Sequence, residues 1–384
     1  MFRARKLMIL LVILTNLLFI AAQCGAVQTQ QETTTENNQV QPTEKEEPEA
    51  DEESHDEIHE EEKPEEHSEQ AEHDDEGEHE HDEVAKLSVI HLSHGEKLKV
   101  VATTNIVGDL ARNVGGDKIE LTAMLPIGAD SHTYAPAPQD AASVADAHVV
   151  FVNGLHLEEF LEELIENAGG EAPVVAVSAH IETRQFNEAA EQGHGHEDET
   201  HEDEEHGHEG ADPHVWMTPV NAIIMVHNIE HALSELDPAN AETYETNAEA
   251  YEAQLEALDA WVKTQIETIP VENRELVTDH EAFGYYADRY GLEIVGTVIP
   301  AYSTNAEPSA QELAQLQAAI EEFDTKAIFV GTTMNPVLAQ RIAGDTGTKL
   351  IALYTESLGE AGSGAETYLN YIRYNTTAIV EALK

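Results

Sequence analysis

The chain is poor in two things that many functions need. It has one cysteine, Cys24, in 384 residues. A single thiol excludes an intramolecular disulfide framework and any zinc site built from cysteines. Cations are also scarce: 19 Lys and Arg stand against 76 Asp and Glu, a formal net charge of -57. So acidic a chain repels phosphate backbones, which excludes nucleic acid as a partner. The same charge suits cation binding and high solubility. The excess acid is local, between Glu44 and Glu83 and between Glu188 and Glu209. Outside those runs the composition is that of an ordinary globular protein, rich in Ala, Leu, Ile and Val.

The first 23 residues read as a secretory signal. Arg3, Arg5 and Lys6 precede an apolar run, Leu7 to Ala22, with polar interruptions only at Thr15 and Asn16. That run is short for a transmembrane helix. Cys24 follows at once and resembles a bacterial lipoprotein cleavage site, where the thiol is lipidated and becomes the new N-terminus. Gln23 stands where a small residue is usual. A plain cleaved signal and an uncleaved anchor are the alternatives. All three place the remainder outside the cytoplasmic membrane, anchored through Cys24 or soluble in the periplasm or medium.

Residues 24–96 lack hydrophobic periodicity. They are Gln/Thr/Glu/Pro-rich at first, then acidic and histidine-rich. Such a composition cannot bury enough apolar surface to offset its ordering entropy, so it predicts a disordered tether. As a flexible chain it would span about 45–50 Å on average. It is either a solvated stalk or a weak gatherer of zinc. A second acidic run, residues 188–210, has no helical or strand period and predicts a mobile surface loop. Its His194, His196, His201, His206 and His208 form a candidate secondary, low-affinity metal site.

Between these tracts strand and helix patterns alternate. Strands are expected at 98–103, 119–125, 148–152 and 174–177, and again at 275–278, 293–299, 327–330 and 349–353. Helices are expected at 105–114, 139–145, 158–167, 219–236, 283–290, 309–323, 336–345 and 365–383. Ser309 with Glu312 makes a capping box. Residues 238 to about 268 read as one long helix of about 45 Å, a rigid connector. The fold class is therefore α/β, with two lobes, each a mainly parallel sheet flanked by helices, joined by a long rigid helix. The boundaries are 97–237 for the first lobe, 238–269 for the linking helix and 270–384 for the second lobe.

The stretch Asp212-Pro213-His214-Val215-Trp216-Met217-Thr218-Pro219 holds an imidazole between two prolines at the start of a helix. Its direction is fixed, which makes His214 an oriented ligand or an ordinary loop residue. His132 follows the strand 119–125, His280 the strand 275–278 and Glu356 the strand 349–353. Ligands of open parallel sheets bind beyond the carboxyl ends of strands, and these three obey that rule. Two of the four lie in each lobe, which puts a shared site in the cleft. Three imidazoles and a carboxylate suit Zn2+, whereas manganese favours more carboxylate. Spacing alone leaves each residue open to an ordinary loop role.

From about Lys97 to Lys384 the chain resembles the metal-binding, substrate-binding lipoproteins of bacterial ABC importers for zinc and manganese, the group with a rigid linking helix. The resemblance rests on Ser131-His132-Thr133-Tyr134-Ala135-Pro136, on Asp212-Pro213-His214-Val215-Trp216 and on His280-Glu281-Ala282-Phe283-Gly284-Tyr285-Tyr286. Arg289-Tyr290-Gly291-Leu292, Pro308-Ser309-Ala310 and Tyr354-Thr355-Glu356-Ser357-Leu358 complete it. It implies that His132, His214 and His280 bind the metal with Glu356 at the fourth position. Histidine at the third position and a His-rich acidic insert before the second ligand are zinc-side features of the family. The implied function is extracytoplasmic capture of Zn2+ as cargo and its delivery to an ABC permease by a monomeric, non-enzymatic protein. The manganese-binding counterpart and an adhesin-like interaction lipoprotein are the alternatives. Two departures stand out: Glu356 lies where Asp is commoner, and Gly331-Thr332-Thr333 replaces an acidic-Pro stretch.

His227-Asn228-Ile229-Glu230-His231 matches the H-x-x-E-H pattern of one metallopeptidase class. A solvated helix face explains it as well. His148, His156 and His180 read as loop or core residues, and His91 and His94 have no assignment.

Overall fold

A computed structural model describes residues 87–158, 160, 164–165, 168–185 and 210–384. It contains two four-stranded, wholly parallel sheets of the same topology. The first has the order β2-β1-β3-β4, from β1 (Leu98–Ala102), β2 (Ile119–Ala123), β3 (Val149–Val152) and β4 (Val174–Ala176). The second has the order β6-β5-β7-β8, from β5 (Glu275–Thr278), β6 (Glu293–Thr297), β7 (Ala327–Gly331) and β8 (Lys349–Leu353).

The strands are apolar because both faces are covered, and the pleat sends alternate residues to different cores. Val100, Val149 and Phe151 enter a central core, while Val101, Val150 and Val152 enter an outer one. In the second sheet Leu276, Ala327 and Phe329 turn to the same central core, and Val277, Ile328 and Val330 turn outward. The two lobes are thus joined through one core and form one compact unit across the described residues.

Five helices line that core: α1 (Asn105–Gly115), α3 (Pro219–Leu236), α4 (Ala241–Ile266), α5 (Gly284–Tyr290) and α8 (Tyr368–Leu383). Helix α2 (Pro138–Ala145) lies between β2 and β3, and α5, α6 (Ala310–Glu322) and α7 (Val337–Thr346) belong to the second lobe. Helix α4 buries Tyr244, Tyr251, Leu255, Leu258, Val262 and Ile266, a stripe at helical spacing. Its 26 residues span about 39 Å. It is shorter at its start than the pattern suggests. Asp237 ends α3 and accepts from Tyr244 Oη at 2.9 Å and Asn240 Nδ2 at 2.7 Å, so Pro238–Asn240 forms a separate 3-10 turn. Helix α8 likewise starts at Tyr368 rather than Ala365. Gly362 and Gly364 hold positive φ, and Thr367 caps the first turn by accepting from Asn370 N.

The tether expectation is corrected at one end. Residues 87–96 are not free chain: Leu87, Ile90 and Leu92 pack on the central core, and Ile90 N donates to Leu236 O at 2.8 Å. The acidic run masked these apolar residues because they lack a period of their own. The signal segment, Cys24, the tether up to residue 86 and the five insert histidines lie outside the described residues.

Candidate metal centre

The ligand atoms of His132, His214, His280 and Glu356 all lie within 4.8 Å of one another, and three of the four residues are fully buried. They come from four loops. The His132 loop follows β2, His280 lies two residues beyond β5, Glu356 three beyond β8, and His214 precedes the 3-10 turn Val215–Met217 that leads into α3. The edges of the cluster are short. His132 Nε2 is 3.3 Å from His214 Nε2, and His280 Nε2 is 3.3 Å from Glu356 Oε1. Glu356 Oε1 lies 3.5 Å from His214 Nε2, and its Oε2 lies 3.7 Å from His132 Nε2. A tetrahedron with metal–nitrogen bonds near 2.0–2.1 Å has edges of about 3.3 Å, which these four separations approach.

The rings are aimed by carboxylates. Asp212 Oδ1 accepts from His214 N at 3.0 Å and faces His214 Nδ1 at 2.8 Å. Asp279 Oδ1 does the same for His280, at 2.8 and 2.9 Å. A carboxylate can only accept, so each Nδ1 carries the proton and each Nε2 faces the cage. The other oxygen of Asp279 accepts from Gly331 N at 2.6 Å. That approach requires glycine: a Cβ at residue 331 would overlap Thr355 Oγ1 and reach within 3.0 Å of Asp279 Oδ2. The Gly331-Thr332-Thr333 departure therefore places a backbone donor behind His280. His132 is held through its backbone, with its N donating to Asp130 Oδ1 at 2.9 Å and its carbonyl accepting from Asn305 Nδ2 at 2.8 Å.

Glu356 is fixed by Ser131, whose Oγ donates to Oε2 at 2.5 Å. Trp216 Nε1 and Tyr371 Oη both donate to Thr355 O, at 3.1 and 2.8 Å, which pins the loop from two sides. The His214 loop is tied to its own lobe through Asn153, whose Nδ2 donates to Pro213 O at 2.9 Å. Buried Glu158 in turn accepts from Asn153 N at 2.6 Å and from Thr103 Oγ1 at 2.6 Å.

The charges are unequal. Burial opposes the cationic form of His214 and His280, but the Asp partners and Glu356 outweigh it, so both titrate above the ordinary histidine range. Burial likewise opposes ionisation of Glu356, yet the three imidazoles hold it well below the usual carboxylate range. His132 has no such carboxylate beside its ring other than Glu356. Burial, with the two neighbouring histidines, pushes it down to about 3.

The sequence pattern missed the supporting carboxylates, although a signal was present. An aspartate stands one or two residues before each candidate histidine: Asp130, Asp212 and Asp279. The other histidines do not join the cluster. His227 and His231 are exposed on α3, facing Glu252 and Glu235 at 3.5 Å each. Among the described residues one group of three or more close donors occurs, and it contains neither. His148 Nδ1 accepts from Lys99 N at 3.0 Å beside the first sheet, while His156 and His180 occupy left-handed loop positions. His91 and His94 are exposed.

Residues 100–382 match the family described as zinc-uptake complex component A, periplasmic. The chain is 35% identical over 290 residues, 75% of this chain and 89% of the relative, to the manganese-binding lipoprotein MntA of Halalkalibacterium halodurans. It is 31% identical over 296 residues, 75% of this chain and 90% of the relative, to the manganese ABC transporter substrate-binding lipoprotein PsaA of Streptococcus pneumoniae. Among solved structures, the periplasmic zinc-binding protein TroA of Treponema pallidum superposes with a TM-score of 0.66 at 28% identity, covering 75% of this chain and 99% of that one. A manganese-bound periplasmic metal-binding protein from Candidatus Liberibacter asiaticus gives 0.64 at 28% identity, over 75% and 100% of the two chains.

Proposed function

The chain belongs to the family of periplasmic zinc-uptake component A, the substrate-binding proteins of metal ABC importers, and from that premise we propose how it works. It captures one divalent transition-metal ion between its lobes, through His132, His214, His280 and Glu356, and hands it to an ABC permease. The observation that carries this reading is the buried cage of four mutually close donors drawn from four loops. The ion is cargo: three imidazoles and a carboxylate hold it, and the protein does no chemistry on it.

Manganese is the first reading of the cargo, supported by relatives named for manganese at 35% and 31% identity. Glu356 accords with it, because both of its oxygens line the cage and supply a fifth donor. The zinc expected from the sequence is the second reading. It is supported by the three-nitrogen donor set and by edges that match a small tetrahedral ion. Affinity alone does not separate them, since nitrogen and oxygen sites hold zinc more tightly than manganese whatever their biological cargo. Cellular accumulation does. Cells carrying wild-type protein or the His280→Ala variant are given trace radioactive manganese or zinc at limiting supply. Loss of manganese accumulation in the variant establishes the first reading, loss of zinc the second. No loss of either removes the importer role.

Two further parts belong to the same proposal. Lipidated Cys24 anchors the monomer outside the cytoplasmic membrane, in keeping with relatives that are named lipoproteins. His194, His196, His201, His206 and His208 act as a low-affinity collector. If changing all five to Asn leaves accumulation at limiting metal unaltered, the insert is only a spacer.

A further inference from the structure

Arg184 lies beside Asp212 because the chain pairs there: Gln185 and Ala211 form an antiparallel bridge, and Asp212 N donates to Arg184 O at 2.8 Å. Its guanidinium is shared between two carboxylates. Nη1 donates to Asp212 Oδ2 at 3.2 Å, and Nε donates to Asp288 Oδ2 at 2.7 Å. Asp212 is fully buried, in the first lobe, and its other oxygen aims His214. Asp288 is exposed, on α5 of the second lobe, the helix that begins four residues after His280. The same helix contributes Tyr285. Its Oη accepts from Arg184 N at 3.1 Å and donates to Asp212 O at 2.9 Å, and the guanidinium lies 5.8 Å over its ring.

The room for this arrangement depends on Gly284. A Cβ there would overlap Nη1 and Cζ of Arg184 and stand 3.0 Å from Asp212 Oδ2. Residue 284 has no positive φ that would otherwise call for glycine.

The two halves of the contact have different weights. An exposed pair such as Arg184–Asp288 adds little stability by itself. The buried Asp212 charge is different, because it needs partners on both oxygens once it is out of water. The forked guanidinium satisfies the outer oxygen in a geometry that a lysine would not reproduce. Its value is directional: it fixes Asp212, which fixes His214.

We propose, on the basis of the metal-capture reading above, that Arg184 is a positioning residue that locks the His214 ligand to helix α5. Asp212 is held against His214 Nδ1 only while α5 is docked on the first lobe. Loosening of the lobes at α5 and loosening of the His214 ligand are then one event, which gives the permease a handle for release at a place remote from the ion.

The test uses the full chain loaded with Co2+, whose visible spectrum reports donor geometry, and follows release into excess EDTA. The central site is the slow phase that is absent in His280→Ala. Supporting partners of metal ligands typically contribute about 10–100-fold to binding, so Arg184→Met should speed the slow phase on that scale, with Arg184→Lys between it and wild type. Gly284→Ala keeps the arginine but displaces it, and alanine is the better helix former. It should release fast but at some cost in metal-free thermal stability, because Asp212 Oδ2 loses its cation. Asp288→Asn, at an exposed position, leaves that buried contact in place and should also speed release, with metal-free stability undiminished, which a merely structural role does not predict. Wild-type release from Gly284→Ala and Asp288→Asn would overturn the proposal, including where Arg184→Met fails to fold. A wild type with no His280-dependent slow phase would remove the metal-capture reading, and the lock with it.

Discussion

The Asp partners and Glu356 hold His214 and His280 toward their protonated forms, and on the proposed capture reading an incoming ion displaces those protons. Both titrate above the ordinary histidine range, because Asp212 or Asp279 on one side and Glu356 on the other outweigh the cost of burial. His132, pushed down to about 3, is already neutral and brings no proton to the exchange. Metal binding therefore releases up to two protons. Below both raised pKa values, affinity should climb by up to roughly 100-fold per pH unit, and competition titrations with a chelator of known proton affinity would measure it. The sign for stability follows from the same groups. Their raised pKa stabilises the metal-free protein below the unfolded value near 6.5, and that contribution is lost as pH rises through the folded pKa. The calorimetric gap between loaded and metal-free protein should consequently widen as pH rises from about 6.5 toward the raised folded values; a constant gap would contradict protonated ligands. The four candidate residues were legible as a set because each stands at a strand or helix end, and the fold brings them together. Their supporting carboxylates were not read, although Asp130, Asp212 and Asp279 each stand one or two residues before a candidate histidine, because adjacency in sequence does not say which oxygen meets which ring nitrogen. Asp279→Asn should test that shell. It leaves Gly331 N and His280 Nδ1 facing a neutral amide, and metal affinity should fall about 10–100-fold with the overall fold retained.

Helix α4 decides how the lobes can move relative to each other. Its buried stripe enters the core that both sheets share, so it is part of each lobe rather than a free rod between them. Leu255, fully buried near its middle, has no polar role. Leu255→Ala should lower unfolding stability by about 2–5 kcal/mol in urea titrations. Metal stoichiometry should stay unchanged, because none of the four donors lies on this helix. The periodic elements were readable for the physical reason that burial on one stripe or on both pleat faces imposes a pattern. The spans Pro219–Leu236, Glu275–Thr278 and Lys349–Leu353 agree with expectation residue for residue. The Ser309 cap also forms, accepting from Glu312 N at 3.2 Å while Glu312 returns to Ser309 N at 2.5 Å. Ends set by tertiary contacts were not readable. The break at Pro238–Asn240 depends on Tyr244 reaching back to Asp237, and the order in residues 87–96 depends on a neighbouring helix end.

Across the described residues both lobes share one central core, where a wide-hinged binding protein would have two. Residues from both sheets and from α1, α3, α4, α5 and α8 share it, and polar cross-links run between the lobes beside it. Asn105 Nδ2 donates to Ser357 Oγ at 3.0 Å, Leu358 N donates to Asn105 Oδ1 at 2.8 Å, and Tyr368 N donates to Asp109 Oδ2 at 3.0 Å. Opening such a molecule like a jaw would expose that core, at about 25 cal/mol for each Å2 of apolar surface uncovered. Loops held by a few hydrogen bonds, such as Asn305 to the His132 carbonyl and Thr304 to Asp130 Oδ2, give way at lower cost. Capture and release should therefore be local. Hydrogen exchange distinguishes the two modes, because local opening and core opening sit at opposite ends of the protection scale. On metal binding, protection should rise in the loops carrying His132, His214, His280 and Glu356, while amides of α4 and of β1 and β5 exchange at the same slow rate with and without the ion. Protection that rises equally along α4 would mean that the lobes separate as bodies, and unchanged protection at the His214 and His280 loops would mean that the cage does not close on a metal at all.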